Sequence, residues 1–232
     1  MTKQVFWSVL LERNPVGACM SSLLDVAKHA GANSYRRITV PYARTDLTRN
    51  IIIDRFLKES SDPHDTLIML DNDHAMPEDI LERLAAHDLP IVGALAHRRG
   101  EPYDPIAFVA DEKGAFHAMA EWKPGEVYVV DAVSPGAIAI QRRVFLHLEA
   151  EGFKRPWFRY VYTEDSMEMP SEDMYFYRIC KAANVNRMAV DTALVIPHHT
   201  DGWITPESWY AYREDHPEAW KKPEPAAQEV AA

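Results

Sequence analysis

The sequence predicts an α/β protein with a mostly parallel central sheet flanked by helices and a smaller mixed β region in its second half. Two observations support this fold class. Over residues 1–100, β-prone apolar segments alternate with segments of helical periodicity, an order that produces a parallel, doubly wound sheet. Later β-prone segments follow one another between Gly and Pro turns, which is typical of a mixed β region.

The first half is predicted to supply the central sheet. Its predicted strands are Val5 to Leu11, Arg37 to Val40, Thr66 to Leu70 and Pro90 to Leu95, and its predicted helices are Gly17 to His29, Leu47 to Lys58 and one opened by Pro77. The segment Thr66 to Leu70 is the clearest strand, because a continuous apolar run is typical of a parallel strand covered on both faces.

The second half is predicted to contain shorter strands and two helices. The predicted strands are Ile106 to Ala110, Ala115 to Met119, Val127 to Val133, Ala137 to Gln141 and Met188 to Ile196, and the predicted helices are Arg143 to Ala150 and Glu172 to Ala183. The later helix places its apolar residues at positions i, i+3, i+4 and i+7, so they share one face.

The chain has 232 residues, enough for one domain with a sizeable core, which we expect over residues 1–222. Residues 223–232 lack periodicity and are predicted to form a disordered tail. The formal net charge of −10 disfavours an extended nucleic-acid interface, because acidic surfaces repel phosphate backbones.

The cysteines and the apolar runs of the sequence indicate the cellular compartment of the protein. Cys19 and Cys180 lie among apolar neighbours in predicted helices, so we expect two buried free thiols, as in a reducing compartment. The sequence has no apolar run of transmembrane length, and its first apolar segment is too short for a signal peptide. These features together predict a cytoplasmic protein.

Asp71 and Asp73 form a D-x-D sequence directly after the strand Thr66 to Leu70. Because ligands bind beyond the carboxyl ends of strands in open α/β sheets, both carboxylates lie where a ligand site is expected. Their oxygens are hard ligands suited to Mg²⁺ or Mn²⁺. An Asx-rich turn after a strand gives the same pattern, so these residues alone do not distinguish a metal site from a turn.

Two later segments add candidate functional groups. Glu172 and Asp173 lie in the first turn of a predicted helix. Acidic residues there commonly interact favourably with the helix dipole, but a carboxylate at this position could also act as a general base. His198 and His199 follow the last predicted strand, where a histidine is either a loop residue or a third metal ligand.

The order and spacing of five segments resemble the GT-A glycosyltransferases, particularly the short family 2 type. The segments are TLIMLDND, AVSPGAIAIQRRVF, PWF, SEDMYFYRICKAANV and VDTALVIPHHT. The resemblance runs from about Val5 to His199. It implies a single GT-A (Rossmann-like) domain with a nucleotide-binding half at about 1–100 and an acceptor half at about 101–222.

The resemblance implies transfer from a nucleotide-sugar donor, with Mn or Mg, to an acceptor whose class the sequence leaves open. Asp71 and Asp73 correspond to the D-x-D motif that coordinates the metal and the donor diphosphate. His198 or His199 corresponds to the late histidine ligand, and we favour His198. The absence of the Gln/Arg-x-x-Arg-Trp motif of processive synthases favours transfer of a single sugar.

The remaining implied roles concern the base and the donor. Asp173, with Glu172, corresponds to the acidic pair that supplies the catalytic base in inverting members. Arg49 corresponds to an R-N pair near the nucleotide or the metal-site loop, although a solvated helix residue is an equal alternative. Gly136 corresponds to the segment where backbone groups approach the donor sugar, since glycine permits close approach.

Aromatic and basic residues offer further candidates. The Pro156 to Phe158 segment could provide a sugar platform, although core packing is expected for one of its two aromatic residues. The His97 to Arg99 cluster could offset diphosphate charge or be plain surface. Trp203 and Trp209 could form a lid.

Other functions share parts of this pattern. A nucleotidyltransferase would use similar sheet and metal chemistry, but it usually carries a Gly-rich basic loop after the first strand, where this chain has ERNPVGAC. A non-catalytic nucleotide- or sugar-binding module is the alternative outside the enzymes.

Overall fold

The computed structural model describes residues 3–10, 17–41, 43–161, 171–200 and 202–217. The strands are β1 Val5–Leu10, β2 Arg36–Arg37, β3 Thr66–Asp71, β4 Ile91–Leu95, β5 Ala107–Ala110, β6 Phe116–Ala118, β7 Val127–Val129, β8 Ala132–Val133, β9 Ala137–Gln141, β10 Met188–Val195, β11 His198–His199 and β12 Trp203–Ile204. The helices are α1 Gly17–Ala32, α2 Thr45–Glu59, α3 Ile80–Ala86, α4 Arg142–Ala150, α5 Glu172–Ala182 and α6 Pro206–Asp215.

A seven-stranded sheet in the order β2-β1-β3-β9-β4-β10-β7 forms the centre of the protein. β2, β1 and β3 pair in parallel, as do β4 and β10, while β9 and β7 run antiparallel to their neighbours. Smaller sheets combine β6-β5-β8 and β11-β12. The predicted α/β class, with a mixed β region in the second half, is confirmed.

β9 lies between β3 and β4 and runs antiparallel to both. All five of its residues are buried, and it pairs on one side with β3 and on the other with β4. A strand so apolar is most stable inside a sheet, where both its faces and both its edges are covered. The central sheet is therefore built from both halves of the sequence.

The core lies on both faces of this sheet. One face packs against α2, α4 and α5 through a cluster of aromatic rings that includes Phe56, Phe145 and Phe176. The other packs against α1 and α3. Trp157 and Phe158 are both fully buried in the first cluster, so the expectation of a surface aromatic platform there is wrong.

Several local predictions differ from the structure. The predicted strand Val127 to Val133 divides into β7 and β8, which belong to different sheets. α3 begins at Ile80 rather than at Pro77, and β2 is limited to Arg36–Arg37. The start of α3 and the extent of β2 differ only at the ends of the elements, which sequence patterns locate least precisely.

Other predictions concern the thiols and the chain ends. Cys19 and Cys180 are buried and free, as predicted. The predicted tail at 223–232 lies outside the described residues, and the domain limits stay a prediction. Among the described residues, no helix combines the length and apolar character needed to cross a membrane.

Candidate active site

The candidate site lies at the carboxyl ends of β3, β4 and β10, which point in the same direction. The loops after β3 and β10 are joined by two backbone hydrogen bonds, from Ala75 N to the Pro197 carbonyl at 3.0 Å and from His199 N to the Asp73 carbonyl at 2.9 Å. These bonds fix the D-x-D loop against the histidine loop. The edge is the one at which open α/β sheets bind their ligands.

Asp73, His74 and His198 form a compact group of possible metal ligands. One ligand atom from each lies within 4.8 Å of the others. The two imidazole rings stack with centroids 4.1 Å apart. Asp73 and His198 were predicted from the sequence, whereas His74 was missed, because a histidine adjacent to D-x-D carries no signal until the loop conformation is known.

The hydrogen bonds of His198 define which of its nitrogens is a donor and which is an acceptor. Nδ1 lies 2.9 Å from the carbonyl oxygen of His97, which can only accept, so Nδ1 carries the proton. Nε2 is then an acceptor, yet it lies 3.4 Å from Asp73 Oδ2, which is another acceptor. Arg99 Nε donates to this Nε2 at 2.7 Å, so a positive charge offsets the repulsion between the two acceptors. The Nδ1 bond to a carbonyl is typical of metal-binding histidines.

His74 presents similar unsatisfied atoms. Its side chain is 3% exposed, and burial lowers the pKa of the ring, which favours neutral imidazole. Nδ1 lies 2.8 Å from Asp73 Oδ1, but within the described residues neither of these atoms, nor His74 Nε2, makes an aligned hydrogen bond. Buried polar atoms without partners are rare in proteins, and here they surround a plausible cation site.

Asp71 lies in a different environment from Asp73. Its two carboxylate oxygens accept hydrogen bonds from Arg49 Nη2 at 3.0 and 2.9 Å. Burial raises the pKa of Asp71 to about 6, although the Arg49 charge opposes that rise. The structure thus brings Asp73 and His198 together, whereas Asp71 is hydrogen-bonded to Arg49. The metal-ligand role of all three residues stays a prediction.

Arg49 links the D-x-D strand to the acidic start of α5. The guanidinium is 1% exposed. Its Nε donates to Glu172 Oε1 at 3.2 Å, and its Nη2 donates to the Asp71 carboxylate. It also lies 5.7 Å from the centre of the Phe158 ring. The alternative of a solvated helix residue is wrong for Arg49, because this arginine is a buried bridge between two carboxylates.

Glu172 and Asp173 are distinguished by their partners. Glu172 is paired with Arg49, whereas Asp173 accepts from the Met174 backbone N–H at 2.9 Å. Burial and the neighbouring Glu172 charge raise the pKa of Asp173. A carboxyl with a raised pKa is a better proton acceptor than an ordinary aspartate once it is ionised, which suits a general base.

Gly136 lies against His74 rather than against open space. A Cβ atom at Gly136 would lie 2.7 Å from His74 Cε1 and 2.9 Å from its Nε2. The carbonyl of Gly136 also accepts from Asp71 N at 2.8 Å, at the end of the β3–β9 pair. The missing side chain therefore makes room for the imidazole.

Replacing Gly136 with Ala is expected to displace His74 from its stack on His198. Because the ring is buried, we expect a loss of about 1–3 kcal/mol in the free energy of unfolding, as for other overpacked sites. We also expect weaker Mn²⁺ binding. Urea unfolding and calorimetric titration measure the two effects.

Gly31→Ala is the matched control, since nothing lies within 4 Å of the added Cβ at that helical position. It should leave Mn²⁺ binding unchanged. Unaltered Mn²⁺ affinity in Gly136→Ala would contradict the packing role that we assign to this glycine.

The remaining sequence candidates have separate positions. Arg99 contacts Asp73 and His198, whereas Arg98 lies 5.6 Å from the Phe108 ring centre. Trp203 is 42% exposed and contacts His199, while Trp209 is buried. A lid formed by the two tryptophans stays a prediction.

No protein-family profile and no curated protein sequence matches the chain. Among solved structures the chain is similar to A197 from STIV, with a TM-score of 0.56, 17% identity, and coverage of 89% of this chain and 92% of A197. This likeness shows a shared fold.

Two other solved structures overlap more loosely with the chain. One is a mutant of Drosophila beta1,4-galactosyltransferase 7 in complex with manganese, UDP-Gal and xylobiose (TM-score 0.41, 12% identity, 86% of this chain and 72% of that one). The other is 4-diphosphocytidyl-2C-methyl-D-erythritol synthase from Anaerococcus prevotii (TM-score 0.42, 12% identity, 92% and 98%). TM-scores this low do not establish a common fold.

Proposed function

We propose that this chain is a metal-dependent glycosyltransferase that moves a single sugar from a nucleoside-diphosphate sugar to an acceptor hydroxyl. The observation that carries the proposal is the convergence of ligand atoms from Asp73, His74 and His198 at the carboxyl edge of the sheet. Within the described residues, Asp73 Oδ1 and both His74 nitrogens have no hydrogen-bond partner. Sugar transfer from such a donor needs positive charge for the departing diphosphate and a base for the acceptor hydroxyl.

The proposed cation site consists of the Asp73 carboxylate with the His198 and His74 imidazoles. These groups fit a divalent cation, because they combine a hard carboxylate oxygen with imidazole nitrogens, both of which are common metal ligands. When bound, the cation supplies charge that stabilises the leaving diphosphate. Asp71 contributes to the position of the loop. It accepts from Arg49, which also donates to Glu172 and so connects the end of β3 to the start of α5.

The proposed base is Asp173, at the first turn of α5. It is connected to the metal-site strand by Arg49, which binds the neighbouring Glu172 and Asp71. Glu172 is neutralised by this pairing, so Asp173 is the better acceptor of the hydroxyl proton. The resemblance to the short family 2 glycosyltransferases supports this choice, since the corresponding acidic pair supplies the base in the inverting members.

Replacing Asp73 with Asn is expected to abolish Mn²⁺-dependent binding of nucleoside diphosphates, because the amide removes the anionic ligand of the proposed site. Calorimetric titration of UDP and GDP, each with and without Mn²⁺, measures this effect. Asp25→Asn, at an exposed position on α1, is the control and should bind as the wild type does. Equal nucleotide binding by the wild type with and without Mn²⁺ would rule out the metal role.

A donor-hydrolysis assay distinguishes the reaction types. Slow release of a nucleoside diphosphate from a nucleotide sugar supports the glycosyltransferase. Release of pyrophosphate from a nucleoside triphosphate in the presence of a sugar 1-phosphate would instead identify a nucleotidyltransferase. The absence of both products would indicate a binding module.

A further inference from the structure

Arg99 bridges two members of the proposed cation site. Its Nε donates to His198 Nε2 at 2.7 Å, and its Nη2 donates to Asp73 Oδ2. These acceptors are the two atoms whose lone pairs face each other across 3.4 Å. The guanidinium therefore supplies the positive charge that this pair of acceptors requires.

A divalent cation bound by Asp73 and His198 would use the same lone pairs that Arg99 now occupies. The two positive charges would then lie only a few ångströms apart, where their repulsion is strong. Arg99 and the cation are consequently alternatives at this position. Binding of a cation requires the guanidinium to move.

The structure allows this movement without rearrangement of the loop. The Arg99 side chain is 51% exposed, so no packed core holds it. Its backbone is fixed on both sides by hydrogen bonds, from Arg98 N to the Asp104 carbonyl and from Tyr103 N to the Gly100 carbonyl, both at 2.9 Å. A displaced guanidinium therefore stays within one side-chain length of the site.

We infer that Arg99 holds the cation position between Asp73 and His198 until a divalent cation binds, and then pairs with the diphosphate of the donor. This inference rests on the proposed function and extends it to a residue with two successive partners. A guanidinium matches phosphate oxygens with two parallel hydrogen bonds, and the diphosphate would lie on the same cation that displaced Arg99. Arg99 would thereby couple metal binding to donor binding.

The test compares the wild type with Arg99→Gln and with the control Arg98→Gln, whose side chain lies over Phe108. Titration with Mn²⁺ alone is the first measurement. Because removal of Arg99 frees two ligand atoms from charge-assisted hydrogen bonds, Arg99→Gln should bind Mn²⁺ about tenfold more tightly. Titration with UDP and GDP at saturating Mn²⁺ is the second, and Arg99→Gln should bind the preferred nucleotide about tenfold more weakly.

If Arg99→Gln binds Mn²⁺ no more tightly than the wild type does, the inference is overturned, while the proposed function stays intact. Tighter Mn²⁺ binding with unchanged nucleotide affinity would overturn the pairing with diphosphate. A wild type that binds Mn²⁺ but neither nucleotide would contradict the proposed function, and the Mn²⁺ comparison would still decide whether Arg99 competes with the cation. Arg98→Gln should match the wild type in both titrations, and similar changes in both variants would indicate a general charge effect that overturns the specific role of Arg99.

Discussion

Replacement of Arg49 by Met is expected to lower the free energy of unfolding by about 3–5 kcal/mol, because it leaves two carboxylates without their shared buried partner. The guanidinium is 1% exposed and binds both Asp71 and Glu172. Removing one member of a buried charge network lowers the free energy of unfolding by far more than the intact network adds to it. Urea unfolding monitored by circular dichroism measures the change.

Arg55→Met is the matched control for this prediction, because Arg55 lies exposed on the same helix, α2. It should shift the free energy of unfolding by only a few tenths of a kcal/mol, as most surface changes do. The double variant Arg49→Met/Glu172→Gln should be less destabilised than the sum of its single variants, since one uncompensated carboxylate has been removed. A wild-type unfolding midpoint in Arg49→Met would refute the bridging role.

Replacement of Asp173 by Asn is expected to reduce sugar transfer by roughly 10²–10⁴-fold, the usual contribution of a general base. Binding of Mn²⁺ and of the nucleoside diphosphate should persist, because Asp173 is not among the cation-site ligands. In the wild type, the transfer rate should rise with pH through a pKa above that of an ordinary aspartate, because burial raises the pKa of Asp173. Asp173→Asn should lose this rise.

The stability of Asp173→Asn provides the control for misfolding. Since the pKa of Asp173 is raised in the folded protein, the protonated form is favoured there, and its contribution to stability is lost as pH rises through that folded pKa. Neutral Asn removes the cost of a buried charge, so the variant should be at least as stable as the wild type at neutral pH. Near wild-type transfer by a folded Asp173→Asn protein would exclude Asp173 as the base.

The sequence predicted the elements that depend on local pattern. The apolar run of β3, the helix α5 and the position of Asp71 and Asp73 at the end of a strand all follow from periodicity and from residues adjacent in the chain. The same reasoning located His198 after the last long strand. These predictions need no knowledge of which strands pair.

The features that were missed depend on contacts between distant segments. The insertion of β9 between β3 and β4 depends on which strand covers an exposed sheet edge, and periodicity does not report that choice. His74 became a candidate ligand through its isolated β-bridge with His198 and through the space left by Gly136. The division of roles between Glu172 and Asp173 depends on a guanidinium from α2.

The place of β9 has a consequence for how the chain acquires its structure during synthesis. β3 ends at Asp71 and β4 at Leu95, yet the strand that joins them begins only at Ala137. The emerging amino-terminal segment therefore exposes the edges of β3 and β4 that β9 covers until that strand has left the ribosome. The two halves of the sequence are interleaved in the sheet, so a cut between them would leave neither half with a complete sheet. The sheet edge that carries the candidate site therefore forms only late in folding.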